Sequence, residues 1–255
     1  MSPRLSVFIT GASSGLGAAL ARHYGERGAQ LGLLGRRSDA LHTTAQGLDA
    51  RCYVADVRDL AAMQAAAQAF INEFGLPDIV IAAAGISVGT LSEDAADAPV
   101  FRAVMDANVL GLVHTFQPFI AMMRTRGSGV LCGISSVAGV RGLPGSGAYS
   151  ASKAAATIYL ESLRLELRAS DVSVVTVAPG FIDTPMTQVN PYSMPFKMRA
   201  DQAAQKVADC IARRVTYRVI PWQMAWVARL LKLLPNRLYD AAFEKAPRKP
   251  RHLPL

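Results

Sequence analysis

Tyr149 and Lys153 are four positions apart, so a helix carrying them sets both side chains on one face, one turn apart. An ammonium beside a phenol favours the phenolate and lowers the tyrosine pKa from its free value of about 10 towards neutrality. A phenol tuned in this way gives a proton to a carbonyl oxygen or takes one from an alcohol. Ser136 lies upstream, across a Gly- and Pro-rich loop, and is placed to hold the same oxygen by hydrogen bond. Together the three residues outline carbonyl–alcohol chemistry. The competing reading of the pair is a surface tyrosine and a solvated lysine at helical spacing by accident, so the weight falls on what the remaining chain supplies.

The elements that would position this set begin at the N-terminus. Leu5 to Thr10 is a short apolar run rich in β-formers, and a helical period runs from Leu16 to Arg27. Between them Gly11, Ser13, Ser14, Gly15, Leu16 and Gly17 form a glycine turn with GxxxGxG spacing. Strand, glycine turn and helix aim backbone N–H groups and a helix N-terminus at a phosphate. A second strand, Leu31 to Leu34, is followed by Arg36 and Arg37, where a reader of a ribose 2′-hydroxyl would carry an acid. Guanidinium groups suit a 2′-phosphate, which favours NADP(H) over NAD(H) as the cofactor. Arg51 to Val54 is a third strand, and Asp56-Val57 follows it. Asp56 is suited either to accept from an adenine amino group or to cap the next helix, Leu60 to Phe74. Asp78 to Ala83 is the fourth strand and leads into Ala84-Gly85, small enough for a cofactor ring to approach the backbone.

A long helix is expected from about Val100 to Arg124. It carries Asn108 among apolar neighbours, either as a brace or as the holder of a water in a proton path. Gly129 to Ile134 is the fifth strand and delivers Ser135-Ser136 to its C-terminal end. The Tyr149 to Ala169 helix has an alanine-rich face suited to packing between subunits. Val172 to Ala178 is the sixth strand and ends in Pro179-Gly180. The stretch from Phe181 to Met198 is too irregular for a helix and too apolar for idle surface; it reads first as a mobile cover over the substrate, second as an oligomer contact. Ala200 to Arg214 is helical, and Arg218 to Ile220 supplies a seventh strand. Residues 221–235 form an apolar segment with a thin basic stripe and two tryptophans, Trp222 and Trp226. It packs on its own protein, on a partner subunit or on a membrane surface. After Ala246 the Pro- and Arg-rich tail reads as an arm or as disordered.

With 255 residues, of which 51% are hydrophobic and 18% charged, the chain holds enough apolar mass for one large α/β core. Cys52, Cys132 and Cys210 are far apart and lack CxxC spacing, and the four histidines are scattered. That argues against disulfides and metal and for a reducing compartment. No apolar run approaches the ~18 residues of a membrane span, and no signal peptide precedes the first strand. The expectation is a cytoplasmic protein, with residues 221–235 as its means of attachment if it is peripheral to the inner face of a membrane. The formal charge of +8 collects at Arg36-Arg37 and near the C-terminus, with no basic helix interleaved with aromatics, so an anionic cofactor explains it better than nucleic acid.

Six β–α alternations give a doubly wound parallel sheet, with ligands at the carboxyl ends of its strands. With the glycine turn, Asp56, Asn108, Ser136 and the Tyr149/Lys153 pair in this order, the chain resembles the short-chain dehydrogenase/reductase family from about Leu5 to Arg214. The resemblance implies a Rossmann-type α/β domain over residues 1–220, with residues 221–255 as a helical extension. It implies Ser136, Tyr149 and Lys153 as the catalytic set, with Asn108 completing a proton relay. Cofactor contacts are implied at Ala83, Ala84 and Gly85, and nicotinamide contacts at Pro179, Gly180, Ile182 and Thr184. It also implies a homodimer or homotetramer built on the two long helices. One departure is Ala82-Ala83-Ala84-Gly85, where the family has Asn-Asn-Ala-Gly; the side-chain brace on the central strand is missing. The other is the Trp- and Leu-rich end, unlike the glycine-rich finish of relatives that reduce acyl-carrier substrates. The function expected is hydride transfer between NADP(H) and a hydrophobic ketone or secondary alcohol, steroid-like, long-chain or aromatic. The competing classes are a dinucleotide-binding regulatory protein with little catalysis and a peripheral membrane protein.

Overall fold

The computed structural model describes residues 4–251. Its centre is a sheet of seven strands, all parallel. In chain order these are β1 (Ser6–Thr10), β2 (Gln30–Gly35), β3 (Ala50–Val54), β4 (Ile79–Ala82), β5 (Gly129–Ile134), β6 (Val172–Pro179) and β9 (Tyr217–Ile220), and their spatial order is β3-β2-β1-β4-β5-β6-β9. The strands read as continuous apolar runs because both faces are covered. Val7 pairs in register with Leu31 on one side and Ile79 on the other.

Helices α1 (Gly15–Gly25), α2 (Ser38–Ala45) and α8 (Ala200–Ala212) cover one face, where Leu20, Leu41 and Val207 join Val7, Leu31 and Val175 in one core. Helices α3 (Leu60–Phe74), α5 (Gly111–Arg126) and α6 (Gly147–Glu166) cover the other, with Phe70, Phe116 and Leu160 packed on Phe8, Val80 and Leu131. The chain leaves β1 towards β2 and β3 and returns to β4 on the other side, so the strand order reverses between β1 and β4. A crevice opens at the carboxyl end of such a reversal. The glycine turn follows β1 and Ala83-Ala84-Gly85 follows β4, so both border it.

The expected helix from Val100 to Arg124 is three pieces: α4 (Ala98–Met105), a π-helical turn (Asp106–Leu110) and α5. A π turn widens the helix by one residue, which a hydrophobic repeat does not reveal. It holds Asn108 inward, 1% exposed. The missing Asn brace on β4 has a small counterpart: the Thr10 hydroxyl of β1 lies 3.4 Å from the Thr115 hydroxyl of α5, which donates to the Gly111 carbonyl. The stretch from Phe181 to Met198 is partly ordered by a two-residue strand pair, β7 (Ile182–Asp183) with β8 (Met198–Arg199), and by the short helix α7 (Pro185–Gln188).

Helix α9 (Trp222–Leu233) packs by Met224 and Ala228 against Val137, Ala178 and Val219, so the C-terminal segment shares a core with the sheet. Its other face is bare: Trp222 and Trp226 are 67% and 64% exposed. Helix α10 (Asn236–Phe243) follows, and Tyr239 donates to the Gly142 carbonyl at 2.7 Å. Of the two readings of the tail, an arm or disorder, the disordered one is not met. Pro250 accepts from the Gly89 N–H at 2.9 Å, and Arg251 pairs with Asp94 and Asp97, so residues 247–251 are docked on the domain. Composition favoured solvation; specific ion pairs and backbone bonds to a distant loop override it. The end of the tail lies outside the described residues. No helix among the described residues is long and apolar enough to cross a membrane.

Candidate active site

One cavity of about 470 Å³ runs along the carboxyl ends of β1, β4, β5 and β6. At one end it is lined by the Gly11–Gly17 turn, Arg36, Arg37, Asp56 and Val57; at the other by Ser136, Tyr149, Lys153, Pro179, Gly180, Ile182 and Thr184. Ala83, Ala84 and Gly85 line it between them. Of the residues expected to meet cofactor or substrate, Asn108 alone is absent from its wall.

The turn is shaped by sterics. Gly11 has φ +72°, and a Cβ there would lie 2.6 Å from the Ala84 backbone nitrogen. A Cβ on Gly17 would collide with the Gly11 carbonyl, so α1 approaches β1 closely only because that position is glycine. No acidic residue sits in the first turn of α1, which leaves its N-terminal N–H groups and their positive end free to face an anion. Arg36 and Arg37 are exposed at the rim beyond β2, and Arg37 Nη2 donates to the Ser13 carbonyl at 3.3 Å.

Asp56 does not cap α3. The cap is Asp59, whose side chain accepts from the Ala62 N–H at 3.0 Å. Asp56 is instead gripped by Arg58, with Nη2 2.6 Å from Oδ2 and Nε 3.0 Å from Oδ1. That hydrogen bonding holds the Asp56 carboxyl below its ordinary pKa. Arg58 also lines the cavity, and the sequence reading passed over it; an arginine two residues beyond a strand-end aspartate was the available signal.

At the far end, β5 ends at Ile134 and presents Ser136. The Ser136 hydroxyl accepts from the Ala138 N–H at 3.1 Å. Helix α6 presents Tyr149 and Lys153 one turn apart. The Lys153 Nζ donates to the Ile134 carbonyl at 2.8 Å and lies 5.9 Å from the Tyr149 ring centre. The expectation that Lys153 brings the Tyr149 pKa towards neutrality is not met in this arrangement. Burial raises the Tyr149 pKa above its ordinary value, with hydrogen bonding from Ser136 acting the other way. Burial also lowers the Lys153 pKa to about 8, because an ammonium is poorly solvated there.

Asn108 has the geometry of a brace. Its Oδ1 accepts from the Ile86 N–H at 2.8 Å, and its Nδ2 donates to the Ile86 carbonyl at 3.0 Å and to the Ser152 hydroxyl at 2.9 Å. It thereby clamps the segment after β4 to α6. A second lysine, Lys249 of the docked tail, also lies 5.9 Å from the Tyr149 ring centre. A lysine in a Pro- and Arg-rich terminal stretch carries no local signal of that position.

A reversal-point crevice with a glycine turn at one end and a Ser–Tyr–Lys set at the other defines a dinucleotide-binding α/β protein. The family model described as short chain dehydrogenase matches residues 6–193. An uncharacterized oxidoreductase of Myxococcus xanthus (strain DK1622) is 38% identical over 242 residues, covering 93% of this chain and 95% of its own. Among solved structures, a short chain dehydrogenase/reductase from Burkholderia phymatum in complex with NAD superposes with TM-score 0.82 at 26% identity, covering 98% of both chains. A variant of actinorhodin polyketide ketoreductase with NADPH superposes with TM-score 0.78 at 25% identity, covering 85% of this chain and 95% of its own. The chain belongs to the short chain dehydrogenase family.

Proposed function

We propose that the protein is an NADP(H)-dependent oxidoreductase that interconverts a ketone and a secondary alcohol. The observation that carries this reading is that one cavity joins the glycine turn and Arg36/Arg37 to Ser136, Tyr149 and Lys153. The cradle fits a dinucleotide: side chains are excluded at Gly11 and Gly17, where a Cβ would strike backbone, and a helix N-terminus without acidic neighbours faces the space. When bound, the nicotinamide supplies hydride for reduction and accepts it for oxidation.

The chain's own part is binding and proton transfer. Tyr149 gives its phenolic proton to the carbonyl oxygen in reduction and takes the alcohol proton in oxidation. Ser136 holds the same oxygen. Lys153, anchored on the Ile134 carbonyl with its pKa lowered to about 8 by burial, holds a donor ammonium beside Tyr149 for the cofactor ribose. Pro179, Gly180, Ile182 and Thr184 border the reacting end and keep water from one side of it. Asn108 positions the Ala84–Gly85 backbone through Ile86. Arg36 and Arg37, two exposed guanidinium groups with no acid at the end of β2, support preference for a 2′-phosphate over a 2′-hydroxyl. Met186, which lines the cavity and is 38% exposed, supports a hydrophobic substrate.

A homo-oligomer built on the long helices is supported by apolar side chains left in solvent there: Phe101 and Leu110 before and at the start of α5, and Ile158 and Leu165 on α6 at 64% and 55% exposure. Sedimentation velocity tests it, with a dimer or tetramer expected and a monomer at micromolar concentration as the contrary result. The enzyme reading is tested by Tyr149→Phe against a panel of apolar ketones. NADPH affinity should stay near the wild-type value while NADPH oxidation falls by a factor on the order of 10³, the scale of a lost general acid. Turnover equal to wild type would refute the assignment.

A further inference from the structure

The docked tail has a consequence for the substrate. Pro250 is held by the Gly89 N–H at 2.9 Å, Arg251 Nε lies 2.9 Å from Asp97 Oδ2, and Arg248 packs on Gly145, where a Cβ would stand 2.8 Å from the arginine Cβ. A Cβ on Gly89 would collide with the Lys249 carbonyl, so the loop accepts the tail only with glycine there. These anchors sit on the loop after β4 and on the loop before α6, which flank Tyr149. Between them Lys249 points inward. It is 8% exposed, and its Nζ lies 5.9 Å from the Tyr149 ring centre.

Among the described residues the Lys249 ammonium has neither hydrogen bond nor ion pair. The nearby carboxylates of Asp94 and Asp97 are engaged by Arg251, and Lys153 is committed to the Ile134 carbonyl. Burying an ammonium without a counter-ion is unfavourable, and here it pushes the Lys249 pKa down to about 8. The anchors on either side hold it in place against that cost. A fixed cation beside the Tyr149 ring, with neither hydrogen bond nor ion pair among the described residues, is a preformed site for an anion.

We propose that Lys249 is a specificity residue and that the substrate is a ketone bearing a carboxylate, which pairs with the Lys249 ammonium while its carbonyl faces Tyr149 and Ser136. The assignment rests on the ketone–alcohol reading above and narrows its substrate class to apolar keto acids. A tail that served only as a cover would leave no reason for the charge.

The test uses the full chain loaded with NADP⁺, which has no hydride to give, so binding is read without turnover. Phenylglyoxylate, benzoylpropionate and benzoylbutyrate, whose carboxylates stand progressively farther from the ketone, are titrated calorimetrically beside their methyl esters. At least one acid should bind about tenfold or more tightly than its ester, a ratio worth ~1.4 kcal/mol. Lys249→Met should bring that ratio to about one, and Lys249→Arg should keep part of it. The same NADP⁺ affinity in all three proteins shows that the variants are folded. A wild-type ratio near one for every pair, or a preference that survives in Lys249→Met, overturns the proposal. So does an equal gain for acids and esters in Lys249→Met, the behaviour of a mere cover. Failure of the wild type to bind NADP⁺ overturns the cofactor reading and this assignment with it; intact NADP⁺ binding with no acid preference overturns this assignment alone.

Discussion

Replacing Asn108 by Leu should destabilise the protein by about 3 kcal/mol, at roughly 1 kcal/mol for each of the three hydrogen bonds its side chain makes. The reasoning depends on where the orphaned partners are left. Ser152 is fully buried, but its hydroxyl still donates to the Tyr149 carbonyl at 2.8 Å, so it loses only an incoming bond. Ile86 is only partly buried and lines the cavity, so water can reach its N–H and carbonyl. That keeps the cost at the net value per bond, below the larger penalty for a fully buried orphan. Ser152→Ala removes one of the three contacts and should cost about 1 kcal/mol, and the double variant should show a coupling of similar size. Urea unfolding with the m-value monitored measures all three proteins. The wild-type m-value should be retained, since the change is local. A loss below about 1 kcal/mol in Asn108→Leu, or no coupling with Ser152, would refute the bracing role and return Asn108 to the proton path.

Gly11→Ala should abolish nucleotide binding and cost about 2 kcal/mol or more in stability, since the methyl meets Ala84 backbone at 2.6 Å on a positive-φ residue; fluorescence titration and thermal unfolding check it. Lys249 has a folded-state pKa of about 8 against an ordinary 10.5. Below pH 8 both states carry the proton, and between the two values the unfolded chain holds more protons, so this group makes stability rise with pH across that window. Lys249→Met should therefore exceed the wild type at pH 7 by up to ~3 kcal/mol, and the gap should close towards pH 10. A gap that is independent of pH would mean that the ammonium is solvated. Trp222→Ser combined with Trp226→Ser should leave stability within about 0.5 kcal/mol, because both rings are two-thirds exposed on α9; a loss above ~2 kcal/mol by urea unfolding would show that a partner covers that face in solution.

Local chemistry makes part of the structure legible in the sequence. Buried parallel strands must be apolar runs, a phosphate turn must have glycine where backbones touch, and a helix sets Tyr149 and Lys153 on one face whatever surrounds it. These requirements put all but one of the expected contact residues on one cavity wall. What could not be read depends on contacts far along the chain. Asp56 suits either an adenine contact or the cap of α3 in sequence; the position of Arg58 and of the first turn of α3 gives the cap to Asp59 instead. The π turn at Asn108 shifts one residue without disturbing the apolar repeat, so a single long helix was the natural expectation. The direction of the Tyr149 shift follows from burial, which the four-residue spacing does not encode. Lys249 reaches the site only because Arg251 finds two aspartates and Pro250 a glycine N–H on a loop well over a hundred residues earlier, so its solvated-looking composition pointed the wrong way.

The most direct test of the central claim is to titrate the purified full chain with NADPH and with NADH, following nicotinamide fluorescence. The arginine rim predicts saturable NADPH binding at least about tenfold tighter than NADH, with that ratio falling when Arg36 and Arg37 are both replaced by Ser. Preference for NADH would contradict the role given to Arg36 and Arg37, and binding of neither would remove the basis for reading the crevice as a dinucleotide site.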